Sequence, residues 1–129
     1  MRAAALLLTT LAMLAGGCGS AAERTVELTI RHSRFDPPMV EVAPGERVRF
    51  VIRNLDPIDH EFILGDAEAQ RRHEDGTEPH HGLIPGEVSV PAVAERSTTF
   101  EFGDSGTLLF GCHLPGHWSY GMRGTVRVG

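Results

Sequence analysis

The chain has 129 residues, with 17 acidic residues against 12 basic ones, a formal net charge of −5 and two cysteines. That length suits one small domain. The acidic balance, with no basic run, argues against nucleic acid as a partner.

Arg2 precedes an apolar run from Ala3 to Ala15, which Gly16-Gly17-Cys18 closes. The run is too short to span a bilayer as a mature helix and reads as a secretory signal peptide over residues 1–17. Leu14-Ala15-Gly16-Gly17-Cys18 is similar to a bacterial lipobox, with Ala15 where Leu is more usual. Cys18 is therefore expected to become a lipidated first residue. It would hold the mature chain at the outer face of the cytoplasmic membrane, or in the periplasm, by lipid alone. Ordinary cleavage that leaves Cys18 free is the alternative. Residues 18–24 read as a short linker to a domain over residues 25–129.

Thr25 to Arg31 alternates, with Val26, Leu28 and Ile30 inward, and Phe35-Asp36-Pro37-Pro38 breaks the strand. Met39 to Val42 is a short strand, and Ala43-Pro44-Gly45-Glu46 is a turn. Arg47 to Asn54 follows, with Val48, Phe50 and Ile52 on one face. Asp56-Pro57 then turns the chain toward His60, where His60, Phe62 and Leu64 share a face and Glu61 points the other way. Residues 65–86 are polar, mixed in charge and long for a connection in a small domain. They read as a solvated loop in which only Ala67 to His73 suits a short helical turn. Further strands are expected at Glu87 to Val90, Ser97 to Phe102, Thr107 to Cys112 and Thr125 to Val128. About seven to eight short strands punctuated in this way describe an all-β, antiparallel sandwich.

The loop from Cys112 to Met122 carries a thiolate, an imidazole (His117) and a thioether, with four residues between each. Soft sulfur donors favour Cu(I), imidazole suits both copper states, and two His, one Cys and a weak axial Met make a blue-copper site. His60, 52 positions before Cys112, is the best second imidazole. Leu108, Phe110 and Cys112 share an apolar face, so two strands whose apolar faces each end in a metal-binding side chain can meet across a core. A metal also protects an unpaired thiol in an oxidising compartment. Zinc accepts Cys and His but has no redox role and rarely takes Met. Alternation sends His113 away from Cys112 and out of the ligand set. Trp118 either joins an exposed apolar patch or packs against the loop. His73, His80 and His81, with five acidic neighbours, either bind a second Cu(II) or Zn²⁺ weakly or remain solvated.

The Cys-x4-His-x4-Met spacing before a last strand, with an isolated His near a middle strand, makes residues 24–129 resemble the cupredoxins, the blue-copper family of plastocyanin, azurin and rusticyanin. The resemblance implies a Greek-key β-sandwich and one type 1 copper. His60, Cys112 and His117 would be its equatorial ligands and Met122 its axial one. It also implies one-electron transfer through Cu(II)/Cu(I). Glu61 departs from the family, where many members carry an Asn that ties the two ligand loops together. An ionised Glu cannot donate those hydrogen bonds, which implies a looser site. The expected function is that of a monomeric, extracytoplasmic electron carrier whose redox partner proteins dock near Trp118 and His117. A copper chaperone or scavenger that also uses the His-rich loop is the alternative. An enzyme is not expected, because there is one domain and no repeated His-x-His pair.

Overall fold

Alternation of apolar and polar side chains produces nine strands among the described residues of the computed structural model, which are 22–76, 81 and 84–129. They are β1 (Arg24–Ile30), β2 (Phe35–Asp36), β3 (Met39–Val42), β4 (Arg47–Asn54), β5 (His60–Gly65), β6 (Glu87–Val90), β7 (Glu95–Glu101), β8 (Gly106–Gly111) and β9 (Arg123–Val128), with one helix, α1 (Ala67–Asp75). One sheet has the order β2-β1-β4-β7 and the other β3-β9-β8-β5-β6. The expected signal peptide, Cys18 and His80 lie outside the described residues.

The sandwich differs from the expected all-antiparallel arrangement, because β1 pairs with β4, and β3 with β9, in parallel. Side chains alternate with period two whichever way the neighbouring strand runs, so periodicity identifies a strand without its direction. Phe35-Asp36 also pairs with Thr29 and Ile30, where only a break was expected.

Leu28, Ile30, Phe50 and Ile52 of the first sheet bury against Phe62, Phe110 and Val126 of the second. The Phe62 ring centroid lies 5.3 Å from that of Phe50 and 5.4 Å from that of Phe110, while Phe35 meets Phe110 nearly edge-on at 82°. On β9, a Cβ at Gly124 would lie 2.2 Å from the Phe110 ring, so Phe110 requires glycine opposite it. Cys112 and Met122 belong to this same core.

Part of the expected 65–86 loop is the nine-residue helix α1. Asp66 caps it by accepting from Ala69 N at 2.7 Å, and Arg71 pairs with Glu68 and Asp75 on its outer side. Its inner side carries no apolar stripe. The buried Gln70 amide instead donates to Ile63 O at 3.1 Å and Leu109 O at 2.9 Å, which fastens the helix across β5 and β8. The short helical turn expected at Ala67 to His73 is thus a helix that runs two residues further, and hydrophobic periodicity understates it because its anchor is an amide.

Candidate metal centre

His60 opens β5, and Cys112 follows the last residue of β8, so two core strands deliver these side chains to one end of the sandwich. Both are buried. The loop between Cys112 and Met122 is closed by its own backbone. His117 N donates to Leu114 O at 2.9 Å, Tyr120 N to Gly116 O at 2.9 Å and Gly121 N to Trp118 O at 2.9 Å. Gly116, at φ +83°, permits the turn that follows Pro115. Met122 N donates to His117 O at 3.0 Å and Cys112 N to Met122 O at 3.1 Å, so the three residues at loop positions 112, 117 and 122 share one hydrogen-bonded frame. His117 turns back so that its Nδ1 lies 3.2 Å from Cys112 Sγ and 3.3 Å from His60 Nδ1. The three donor atoms fall within 4.8 Å of one another, and Met122 is fully buried in the adjoining core.

Asp56 orients the first of these donors. His60 Nε2 donates to Asp56 Oδ2 at 2.9 Å, which leaves Nδ1 as the lone pair turned toward Cys112 and His117. Asp56 also accepts from the amides of His32 at 2.7 Å and Ser33 at 2.8 Å, while its own amide donates to Asn54 Oδ1. Burial works to raise the Asp56 pKa, but the Ser33 and His32 amides and the His60 ring outweigh it and hold the carboxyl below its usual range. Sequence reasoning saw Asp56 only as a turn residue. The available signal was a carboxylate four residues before a candidate ligand histidine, since metal-binding histidines generally donate their second nitrogen to such a group.

Burial pushes the Cys112 thiol up to about 12, against smaller lowering effects from hydrogen bonds. Burial first, and then the neighbouring His60, holds the His117 imidazole below its usual value. Nitrogen lone pairs and a sulfur therefore converge in a nearly dry space, where a soft cation can take the place of the thiol proton. This donor set fits copper in either oxidation state and does not suit a hard, oxygen-seeking ion.

The next residue on each ligand segment faces outward. Glu61 Oε1 accepts from His113 N at 2.8 Å, so the two ligand segments are tied together after all. The looser site expected from Glu61 is corrected: the carboxylate accepts from a backbone amide where a donating side chain had been thought necessary. His113 points away from Cys112 as expected and is buried under α1, with Nε2 2.7 Å from Gln70 Oε1 and Nδ1 2.8 Å from Glu74 Oε2. Trp118 stacks on His113 with centroids 4.7 Å apart and covers Gly111, where a Cβ would lie 2.4 Å from the indole. Of the two readings of Trp118, the structure has it packed against the loop. His73 and His81 come together over Glu87, at 3.3 and 3.1 Å from its Oε2.

A family model described as a cupredoxin-like domain matches residues 2–116. The copper-resistant cuproprotein CopI of Rubrivivax gelatinosus is 36% identical over 116 residues, covering 87% of this chain and 70% of that protein. Its counterpart in Pseudomonas aeruginosa is 29% identical, covering 83% and 77%. Among solved structures, auracyanin B is similar with a TM-score of 0.70 at 21% identity, over 85% of this chain and 91% of that one. Auracyanin A, a blue copper protein from Chloroflexus aurantiacus, gives 0.65 at 22% identity, over 84% and 100%. At such identities the structural likeness speaks for the fold alone. The family match spans most of the sequence, the relatives are cuproproteins and the buried donors suit the same metal, so this copper-binding chain belongs to the cupredoxin-like domain family.

Proposed function

We propose that the chain is an extracytoplasmic type 1 copper protein that carries single electrons, with His60, Cys112 and His117 as the strong ligands and Met122 as the weak fourth. The observation that carries this reading is the convergence of His60 Nδ1, Cys112 Sγ and His117 Nδ1 within 4.8 Å on a hydrogen-bonded frame. Copper, when bound, supplies the one-electron Cu(II)/Cu(I) couple. The chain supplies nitrogen and sulfur donors acceptable to both states and holds them in place. Asp56 keeps the His60 ring from turning, and the bonds that link Cys112, Met122 and His117 keep the loop from opening. Donors that need not move allow fast exchange. His117 is half-buried while His60 and Cys112 are buried, so a redox partner protein docks most directly at the loop that carries His117 and Trp118. The domain acts as a monomer and performs no catalysis of its own. In this reading residues 1–17 serve as a leader and Cys18 carries the lipid that tethers the chain outside the cytoplasm, as the apolar run and the lipobox-like Leu14-Ala15-Gly16-Gly17-Cys18 support.

A strong absorption band toward the red end of the visible range, together with a reversible one-electron couple in voltammetry of the copper-loaded protein, is expected. A slow or irreversible couple would overturn electron transfer. A second reading, copper handling through the same donors, is favoured by the relatives' description as copper-resistant cuproproteins. It predicts rapid surrender of the inner copper to an acceptor chelator, whereas a carrier retains it through repeated redox cycles.

A further inference from the structure

His73, His81, Glu87 and Glu61 meet on the outer face of β5 and β6, beneath α1. His73 Nε2 lies 3.3 Å from Glu87 Oε2, His81 Nδ1 lies 3.1 Å from the same oxygen, and His81 Nε2 lies 3.3 Å from Glu61 Oε2. All four side chains are about nine-tenths buried or more, the His81 ring being 3% exposed and the His73 ring 10%.

The hydrogen-bond roles do not balance when the rings are neutral and both carboxylates are ionised. His73 Nδ1 lies 2.8 Å from Ala69 O, a carbonyl that can only accept, so its proton is on Nδ1 and Nε2 presents a lone pair to Glu87. His81 faces a carboxylate with each ring nitrogen and has one N–H for the two. A lone pair thus faces a carboxylate oxygen in a buried space, an arrangement relieved by added protons, on a ring or on a carboxylate, or by one cation shared by all. The frame is already set. His73 is fixed to its helix, and the backbone of His81 is locked to Ser89 of β6 by bonds of 2.9 and 3.2 Å. His73, His81 and Glu61 also line a cleft of about 890 Å³ that gives an ion a way in.

We propose that His73, His81 and Glu87, with Glu61 beside them, form a second site for a divalent metal ion that takes nitrogen and oxygen donors, either Cu²⁺ or Zn²⁺. Imidazole and carboxylate suit both ions, and neither a thiolate nor a thioether is present to favour Cu(I). This goes beyond the electron-carrier reading and adds a site with a different metal preference. The two centres are in contact through Glu61, whose Oε1 holds the amide after Cys112 while Oε2 faces His81.

The test uses the full chain, loaded with one equivalent of copper as judged by its visible band. It is then exposed to one equivalent of Zn²⁺, or to a second of Cu²⁺, and desalted before the metals are counted by mass spectrometry. Retention of one zinc beside the copper is expected. In the second arm, a second copper is expected whose electron paramagnetic resonance shows no thiolate character. His73→Gln, or Glu87→Gln should that variant disturb α1, loses this second ion while the visible band persists. Wild-type protein that keeps a single metal ion after desalting overturns the proposal, as does undiminished second-ion retention in both variants. Loss of the visible band itself bears only on the inner centre.

Discussion

The inner and outer faces of β5 and of the end of β8 differ by one residue in register and by a whole class of chemistry. His60 and Cys112 turn inward to an apolar core, where a single carboxylate, Asp56, stands behind one ring. Glu61 and His113 turn outward into a network of histidines, carboxylates and the Gln70 amide beneath α1. Inward, burial disfavours the charged forms of the Cys112 thiol and the His117 imidazole. Outward, imidazoles face carboxylates. A single backbone can therefore present two metal preferences, and strand alternation is what separates them. Among the described residues, Glu61 links the two faces through its bond to the His113 amide.

Cys112→Ser breaks the comparison most sharply. Serine is slightly smaller and brings a hydroxyl into the core, where His117 Nδ1, 3.2 Å from Sγ, is within reach as a partner, so the apoprotein should still fold but melt somewhat below the wild type. The visible copper–thiolate band should vanish entirely, and its survival in this variant would exclude Cys112 as the ligand. Retention of an ion by the outer cluster is expected to persist.

Asp56→Ala should have the next largest effect. It removes the group that orients His60 and strands the His32 and Ser33 amides, which donate to it at 2.7 and 2.8 Å. Inner copper affinity should fall roughly 10- to 100-fold. Each amide left without an acceptor costs on the order of 1–3 kcal/mol of stability, measurable by denaturant unfolding. Unchanged affinity would mean that the core alone orients His60.

The apoprotein should also lose stability on the alkaline side. The Cys112 thiol is raised by burial from an ordinary 9.0 to about 12. Between those values the unfolded chain has released its proton and the folded chain still holds it. The unfolded state then binds fewer protons, so stability falls as pH rises above about 9. Cys112→Ser should flatten this limb, and copper should abolish it by taking the thiolate. A limb unaltered by the substitution would place its origin elsewhere.

Much of the inner centre is legible in the sequence because it depends on two local patterns. One is alternation, which puts His60 with Phe62 and Cys112 with Phe110. The other is the spacing of His117 and Met122 along a loop closed by its own backbone. Asp56 escapes because a carboxylate next to a proline is first a turn residue, and only the fold brings it under the His60 ring. The outer cluster is less legible still. It needs α1, whose buried contacts are polar, and it needs Glu87 of β6 beneath His73 and His81, which no short-range spacing announces. The direction of β1 against β4 is hidden for the same reason, since partner choice is not written into one strand's pattern.

Glu61→Gln should have the smallest effect and tests the link itself. The amide oxygen of glutamine can still accept from His113 N, so the tie between the ligand segments survives, while the negative charge facing His81 is lost. The inner band and inner copper affinity should change little, because neutral acceptors on backbone amides differ from charged ones by only about 1 kcal/mol. Outer-ion retention should weaken, because the charge facing His81 is gone. Glu61→Ala separates the two roles: it removes the tie as well, so its inner band should shift where that of Glu61→Gln does not. If both variants move the inner band equally, charge is what Glu61 contributes to the inner centre, and the hydrogen bond to His113 is incidental.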